Sequence, residues 1–345
     1  MTAQSPAPPR SVLGLELAGP EVPLVTVAIC TRNRAPFLET AVGSVLCQIT
    51  DDTELLIVDN ASTDGTSEVG ARLAAGTACV TFCREDQLGL SAARNTALAR
   101  ARGRYVIFLD DDAVAEPGWL AAYQRFLSGP PSDAIAVVGG GVVPEFEVPP
   151  PPWYNPQTTT LNLGDTPRRV SARGGPWGCN IAYRRDAALR AGLFDCDLGR
   201  KGTFLGLHEE GELNRRLEIA GGEIWWLPGA RIRHFVAAER LRLRWQLRSG
   251  FCGGRSSATM RLRTMPGRRD RLPWAVARLL VAPFQGLFNL GLALLASCIG
   301  QRRVAVRKLA HAARSVGFGW QLLRESAGAR KTPADPPAPR RESSA

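Results

Sequence analysis

The feature that most constrains this chain is a strand–helix alternation that runs from Val25 and ends on three consecutive aspartates, Asp110 to Asp112. VTVAIC (Val25 to Cys30) is a short apolar, β-branched run closed by the polar turn TRNR, the pattern of a buried strand. PFLETAVGSVLCQ then places Phe37, Leu38, Ala41, Val42, Val45 and Leu46 at helical spacing. ELLIVDNAS predicts a second buried strand, and STDGTSEVGARLAA a helix behind capping residues and a Gly turn. VTFCRE predicts a third strand, SAARNTALARARG a helix stopped at Gly103, and RYVIFLDDD a fourth strand. The whole reads as an α/β fold with a mostly parallel central sheet and helices on both faces. Sheets of this kind bind ligands outside the carboxyl ends of their strands. The turns Thr31–Arg34, Asp59–Asp64 and Asp110–Asp112 are all expected at that edge.

Charge divides the chain in two. From Arg231 to Ala345 there are 23 Lys and Arg against 5 Asp and Glu; the remainder carries 20 against 27. The basic C-terminal third could meet an anionic membrane surface or an acidic partner. It has no zinc-finger spacing, RNA-binding aromatic motif or helix-turn-helix, so no nucleic-acid partner is expected. With 345 residues, 45% hydrophobic and 22% charged, the chain can bury a full core, and wholesale disorder is excluded. Eight cysteines form no C-x-x-C pair, as expected of small core residues in a reducing compartment. No apolar signal segment follows the N-terminus, so the α/β part is expected to stay in the cytoplasm.

Three adjacent aspartates repel one another, and such a cluster at a strand end is costly without a cation or surrounding donors. Oxygen ligands suit Mg²⁺ or Mn²⁺. In an extended chain Asp110 and Asp112 face one side and Asp111 the other; the plainer reading is a solvated acidic turn. Asp59 is either a turn-capping aspartate or an acceptor for a nucleobase N–H.

TVAICTRNRAPFLETAVGSVLCQ, ELLIVDNASTDGT, GLSAARNTALARARGRYVIFLDDDAVAEPGWL, WGCNIAYRRDAALRAGLFD and HEEGELNRRL follow one another in an order that resembles the bacterial family 2 glycosyltransferases. The resemblance covers about Val25 to Phe235. It implies a GT-A fold, a nucleoside-diphosphate sugar donor, Mg²⁺ or Mn²⁺, and inversion at the anomeric carbon. By resemblance, Asp59 binds the nucleotide base, Thr31 and Arg32 close over it, and Arg94 lies beside the nucleotide. Asp110 looks like the first acid of the family's Asp-x-Asp pair, near the ribose, and Asp112 like the second, on the metal. The intervening Asp111 joins the nucleotide-binding set.

An inverting displacement needs a carboxylate to take the proton of the acceptor hydroxyl. The family usually has Glu-Asp at this point; here Glu209 and Glu210 stand there, making Glu210 the expected base and Glu209 its competitor. For Glu212 the reading is an acidic first helical turn. GGPWGCN resembles the loop flanking the acceptor, with Trp177, Gly178 and Asn180 as contacts; Trp177 either stacks on a sugar or packs under the loop. His234 matches a histidine that reaches the metal or diphosphate, though a lone His is as often structural. LRLRWQ keeps an Arg-Trp pair like that of processive synthases, but Leu241 replaces the expected glutamine, so one sugar is transferred per encounter.

Leu279 to Gly300 is a 22-residue run without charge, flanked by basic clusters. As a helix it spans about 33 Å. Pro283, Gln285 and Asn289 interrupt it, leaving three readings open: a spanning helix, a shallow or re-entrant attachment, or helices packed on the soluble domain. The expected organisation is a flexible leader (1–22), a catalytic domain (23–236), a basic helical region (237–327) and a disordered tail (328–345). The expected setting is the inner face of the cell membrane, with a glycan or lipid-linked acceptor. Two rivals remain. A sugar-1-phosphate nucleotidyltransferase would need a Gly-rich basic loop that TRNRAPFLET lacks, and an inactive membrane-associated scaffold predicts gaps in the carboxylate set.

Overall fold

A computed structural model of the protein describes residues 22–129, 134–265 and 268–327; the expected tail, and all of the leader but Val22, lie outside them. The alternation is realised as β1 (Val25–Thr31), α1 (Ala35–Leu46), β2 (Thr53–Asp59), α2 (Thr66–Gly76), β3 (Val80–Arg84), α3 (Leu90–Arg100) and β4 (Tyr105–Leu109). There follow β5 (Ala113–Ala115), α4 (Trp119–Leu127), β6 (Ile135–Phe146), β7 (Arg168–Val170), β8 (Asn180–Arg184), α5 (Arg185–Arg190), α6 (Glu209–Ile219) and β9 (Glu223–Val236). One sheet takes all these strands in the order β3-β2-β1-β4-β8-β6-β9-β5, with β7 also on β9. From β3 to β4 it is parallel. Beyond β4 it becomes mixed, because β8 runs antiparallel to both β4 and β6 while β6 and β9 are parallel.

Period-two alternation buries both faces. Val25, Val27, Ile29, Leu55, Ile57, Ile107 and Leu109 pack with α1 and α4. Ala28, Leu56, Val58, Val106 and Phe108 face the other way, toward α3 and α6. Double burial is why these strands read as continuous apolar runs.

Three helices follow: α7 (Leu243–Thr264), α8 (Arg268–Cys298) and α9 (Arg302–Ala327). Where α7 crosses α9 the backbones nearly touch. A Cβ at Gly254 would lie 2.0 Å from the Arg314 carbonyl oxygen, and one at Gly317 2.0 Å from that of Phe251. Small residues of α8 are buried (Ala275, Ala282, Gly286, Ala293 and Ala296), while Leu280, Phe284, Leu287, Phe288, Leu294 and Leu295 are exposed. Among the described residues, Arg271–Cys298 is the one helix long and apolar enough to cross a membrane, and only 22% of its apolar window is buried. Burial of one small-residue face does not fit a helix packed broadly on the soluble domain.

Candidate active site

Strand register assembles the site. Thr31 pairs with Asp59, and Asp59 with Arg84, so the carboxyl ends of β1, β2 and β3 lie in one row. Beside them β4 stops at Leu109, and the three aspartates form the turn between β4 and β5, closed by Ala113 N–H donating to the Asp110 carbonyl (3.1 Å). The expected continuous strand through Asp112 is therefore corrected. Asp110 and Asp112 converge through a turn, not through strand alternation. What brings them a third partner is the pairing of Ala113 with His234 on β9, reinforced by Phe235 N–H donating to the Asp112 carbonyl at 2.8 Å.

His234 Nε2 lies 3.2 Å from Asp112 Oδ1 and 3.7 Å from Asp110 Oδ2. Arg240 Nη2 lies 3.1 Å and Arg34 Nη2 3.5 Å from Asp112 Oδ2. Burial alone would raise the Asp112 pKa, but His234, Arg240 and Arg34 hold it well below the usual carboxylate range. Burial pulls the His234 pKa down, yet its bonds to Asp110 and Asp112 carry it up to about 9. Asp111 behaves oppositely: burial first, then the charge of Asp112, pushes it up to about 7. Two carboxylates and one imidazole meeting at these distances fit a hard divalent cation. Cys179 Sγ also lies within 4.8 Å of ligand atoms of Asp110 and His234. A thiol is a soft ligand and suits Mg²⁺ or Mn²⁺ less well than the two carboxylates.

Arg94 ties this group to the glutamates. Only 2% exposed, it donates from Nη1 to Glu209 Oε1 (3.0 Å) and from Nη2 to the Gly178 carbonyl (2.9 Å), with Asp110 Oδ1 at 3.5 Å. It is a buried brace, not a helix-surface ion pair. Glu209 and Glu210 open α6 immediately after His208, whose left-handed backbone (φ 79°) sets the direction of the first turn. Oε2 of Glu210 is buried with no hydrogen-bond partner among the described residues. Burial, then the charge of Glu209, pushes the Glu210 pKa up to about 8.

Thr31, Arg32, Asp110, Asp111 and Asp112 line a cleft of about 220 Å³, joined by Arg34, Asn60 and Arg200. Arg32 Nε is buried there without a partner among the described residues. Asp59 sits behind the cleft wall, fully buried. It accepts from Ser62 N–H (3.2 Å), Ser67 Oγ (2.5 Å) and Arg84 Nη1 (2.9 Å), so its carboxylate already closes the turn that follows β2.

The acceptor loop needs correction. Asn180 is fully buried: its amide donates to the carbonyls of Gly141 (3.0 Å) and Ala230 (2.8 Å), and its oxygen accepts from Trp119 Nε1 (2.9 Å) and Tyr123 OH (3.0 Å). Every hydrogen-bonding position of the side chain is used, leaving none for an acceptor. Trp177 packs against the core, the plainer of its two readings. Gly178 matters through its carbonyl and its lack of a side chain, since a Cβ would lie 2.8 Å from the Arg94 guanidinium. Arg34, Arg200, Arg240 and Asn60 were not among the expected site residues. Arg34 was visible in the TRNR turn. Arg240 lies just past the boundary drawn at 236, and nothing in its sequence context points back to Asp112.

Residues 26–190 match glycosyl transferase family 2. That segment is a family 2 glycosyltransferase domain. Over 273 residues this glycosyltransferase is 28% identical to the glucosyl-dolichyl phosphate glucuronosyltransferase of Haloferax volcanii, covering 77% of this chain and 86% of that one. It is 27% identical to the succinoglycan biosynthesis protein ExoA of Rhizobium meliloti over 76% of this chain and 78% of the relative. Among solved structures, a mannosyltransferase of Pyrobaculum calidifontis in complex with GDP-mannose and Mn²⁺ superimposes with a TM-score of 0.57. The two are 21% identical, covering 86% and 87% of the two chains, which speaks for a shared GT-A fold.

Proposed function

We propose that this glycosyltransferase moves a sugar, with inversion, from a nucleoside-diphosphate sugar to a hydroxyl of a glycan or lipid-linked acceptor. The observation that carries the reading is Arg94, a buried guanidinium that bonds Glu209 at 3.0 Å and lies 3.5 Å from Asp110, so that the Glu209–Glu210 pair adjoins the aspartates that line the cleft. Oxygen donors of Asp110 and Asp112 with the His234 imidazole suit Mg²⁺ or Mn²⁺, which when bound supplies positive charge to a departing diphosphate. Arg32, Arg34 and Arg200 line the same cleft and face the same developing charge. Glu210 takes the acceptor proton as the acceptor oxygen bonds to the anomeric carbon and the sugar–phosphate bond breaks. Arg94 neutralises Glu209 and so leaves this task to Glu210.

The exposed apolar face of α8 supports attachment to the cytoplasmic face of the membrane, by a shallow or re-entrant contact. The Haloferax volcanii relative, named for a dolichyl phosphate-linked acceptor, supports an acceptor presented at a membrane. Incubation of the purified protein with a panel of nucleotide sugars, with and without Mn²⁺, tests the reading. Release of nucleoside diphosphate from at least one donor is expected, stimulated by the metal. No release from any donor, with or without membrane lipid, would overturn it.

A further inference from the structure

Among the described residues, a cavity larger than the cleft at the aspartates lies elsewhere. About 1120 Å³ in volume, it lies between α6 and the three C-terminal helices, above the range of about 300–1,000 Å³ usual for small-ligand sites. Its wall on α6 is the stripe His208, Gly211, Arg215 and Glu218, spaced three and four residues apart. The same helix carries Glu209 and Glu210 on its other face, so the cavity and the proposed base share one turn of backbone.

The cavity is strongly cationic. Arg173, Arg215, Arg261, Arg278 and Arg314 line it, against one carboxylate, Glu218. Glu218 is already engaged by the Ala172 N–H at 3.1 Å. Among the described residues none of the five arginines has an ion-pair partner. Only the Arg314 guanidinium is hydrogen-bonded, to His208 Nε2 (3.2 Å) and Ser257 Oγ (2.7 Å). Burial and Arg314 keep His208 neutral, down to about 4, so it accepts that bond. Guanidinium groups gathered without carboxylates repel one another, and their forked N–H donors match phosphate oxygens.

α8 explains what kind of phosphate fits. Its small residues face α9, and its large apolar residues face outward, the reverse of a helix that packs on a water-soluble core. The face toward the cavity carries three polar residues, Arg278, Gln285 and Asn289, spaced seven and four apart, with Ala282 and Phe288 beside them. The two polar residues that interrupt the uncharged run therefore point at the anion site, and the helix beside it offers a continuous surface to hydrocarbon.

We infer that this cavity seats the phosphate or diphosphate headgroup of the lipid that carries the acceptor, with the lipid chain running along the outer face of α8. The inference rests on the transferase reading for the role of the lipid, though not for its binding. Flotation of the full chain with phosphatidylcholine vesicles tests it. The vesicles contain either a minor fraction of polyprenyl monophosphate or phosphatidylserine matched to the same surface charge. Several-fold greater recovery with polyprenyl phosphate is expected, reversed by millimolar inorganic pyrophosphate. Arg261→Gln/Arg278→Gln alters two guanidiniums with no described partner; it lowers recovery to the phosphatidylserine level and leaves hydrolysis of the sugar donor in water unchanged. Phe284→Ser/Leu287→Ser, at exposed positions outside the cavity lining, loses recovery on every vesicle. Equal recovery on both anionic vesicles, or an arginine variant that binds like the parent, overturns the seat. If binding follows the arginines while no nucleotide sugar is ever consumed, the seat stands and the transferase reading fails.

Discussion

Arg94 donates to Glu209 Oε1 at 3.0 Å and makes no such bond to Glu210, although the two glutamates are adjacent on one helical turn. The pairing separates two chemically identical side chains. Glu209 is held as the counter-ion of a buried guanidinium. Each keeps one buried oxygen without a partner among the described residues, but Glu210 has no bond to a counter-ion and its pKa is pushed up, the condition of a group that can take a proton near neutral pH.

Replacing Glu210 with Gln should lower sugar transfer by about 10²- to 10⁴-fold while nucleotide-sugar affinity stays near that of the parent. Because the base works deprotonated and its pKa in the free enzyme is about 8, kcat/KM of the parent should rise with pH and level off above about 8. Stability carries the opposite sign. The unfolded carboxyl ionises near its ordinary value of 4.5 while the folded one holds its proton, so Glu210 costs stability increasingly from there to about 8. The Gln variant should lose that slope and melt higher than the parent at pH 8. A variant with unchanged turnover and an unchanged pH profile would remove Glu210 from the mechanism.

Arg94→Met leaves Glu209 buried without its counter-ion and frees the Gly178 carbonyl. Breaking a buried pair from one side costs about 3–5 kcal/mol, so a large loss in urea unfolding is expected. Arg94→Met/Glu209→Met should recover much of it, because no lone charge remains. Additive losses in the double variant would mean that the bond between them contributes little.

The proposed cation site makes a separable prediction. His234→Ala and Asp112→Asn should each weaken Mn²⁺ binding, read directly by electron paramagnetic resonance, and cut metal-stimulated turnover by about 100-fold or more. Nucleotide-sugar hydrolysis measured without metal should fall much less. Unaltered Mn²⁺ affinity in both variants would place the cation elsewhere.

Much of this was legible in the sequence because it is local. The parallel strands announced themselves as doubly buried apolar runs, and the aspartates stood at the end of one of them. Other features depend on pairing over long separations. Asp112 meets His234 only because β5 pairs with β9, and no spacing in the sequence encodes that register. The aspartate turn was hidden for a related reason: RYVIFLDDD reads as an unbroken strand, while β4 ends at Leu109 and the chain turns before β5. The acceptor-loop residues misled because polarity alone does not reveal direction. Nothing in WGCN says whether the Asn180 amide points to solvent or to the carbonyls of Gly141 and Ala230. The cavity arginines come from the loop after β7 and from α6, α7, α8 and α9, so they read only as diffuse basic character.

Asn180 gives the sharpest test between sequence expectation and structure. If it contacted the acceptor, Asn180→Leu would raise the acceptor KM and leave folding alone. The structure requires the reverse. Leu strands the Trp119 donor and the Gly141 and Ala230 carbonyls in a site closed to water, while Tyr123 keeps the backbone carbonyl of residue 180 at 3.3 Å. A buried group left unpaired costs about 1–3 kcal/mol, and three of them around one side chain bring the loss toward the upper end of single substitutions, about 4–5 kcal/mol. A fall in Tm of roughly 10 °C is expected for a domain of this size, with acceptor KM unchanged in whatever fraction remains folded. Asn180→Asp is the informative partner, since it keeps the oxygen that accepts from Trp119 and Tyr123 but turns the other end into an acceptor facing two carbonyls. It should destabilise as much as Leu at neutral pH and recover as the pH falls and the carboxyl gains a proton to donate. A stable Leu variant with a raised acceptor KM would return Asn180 to the acceptor site.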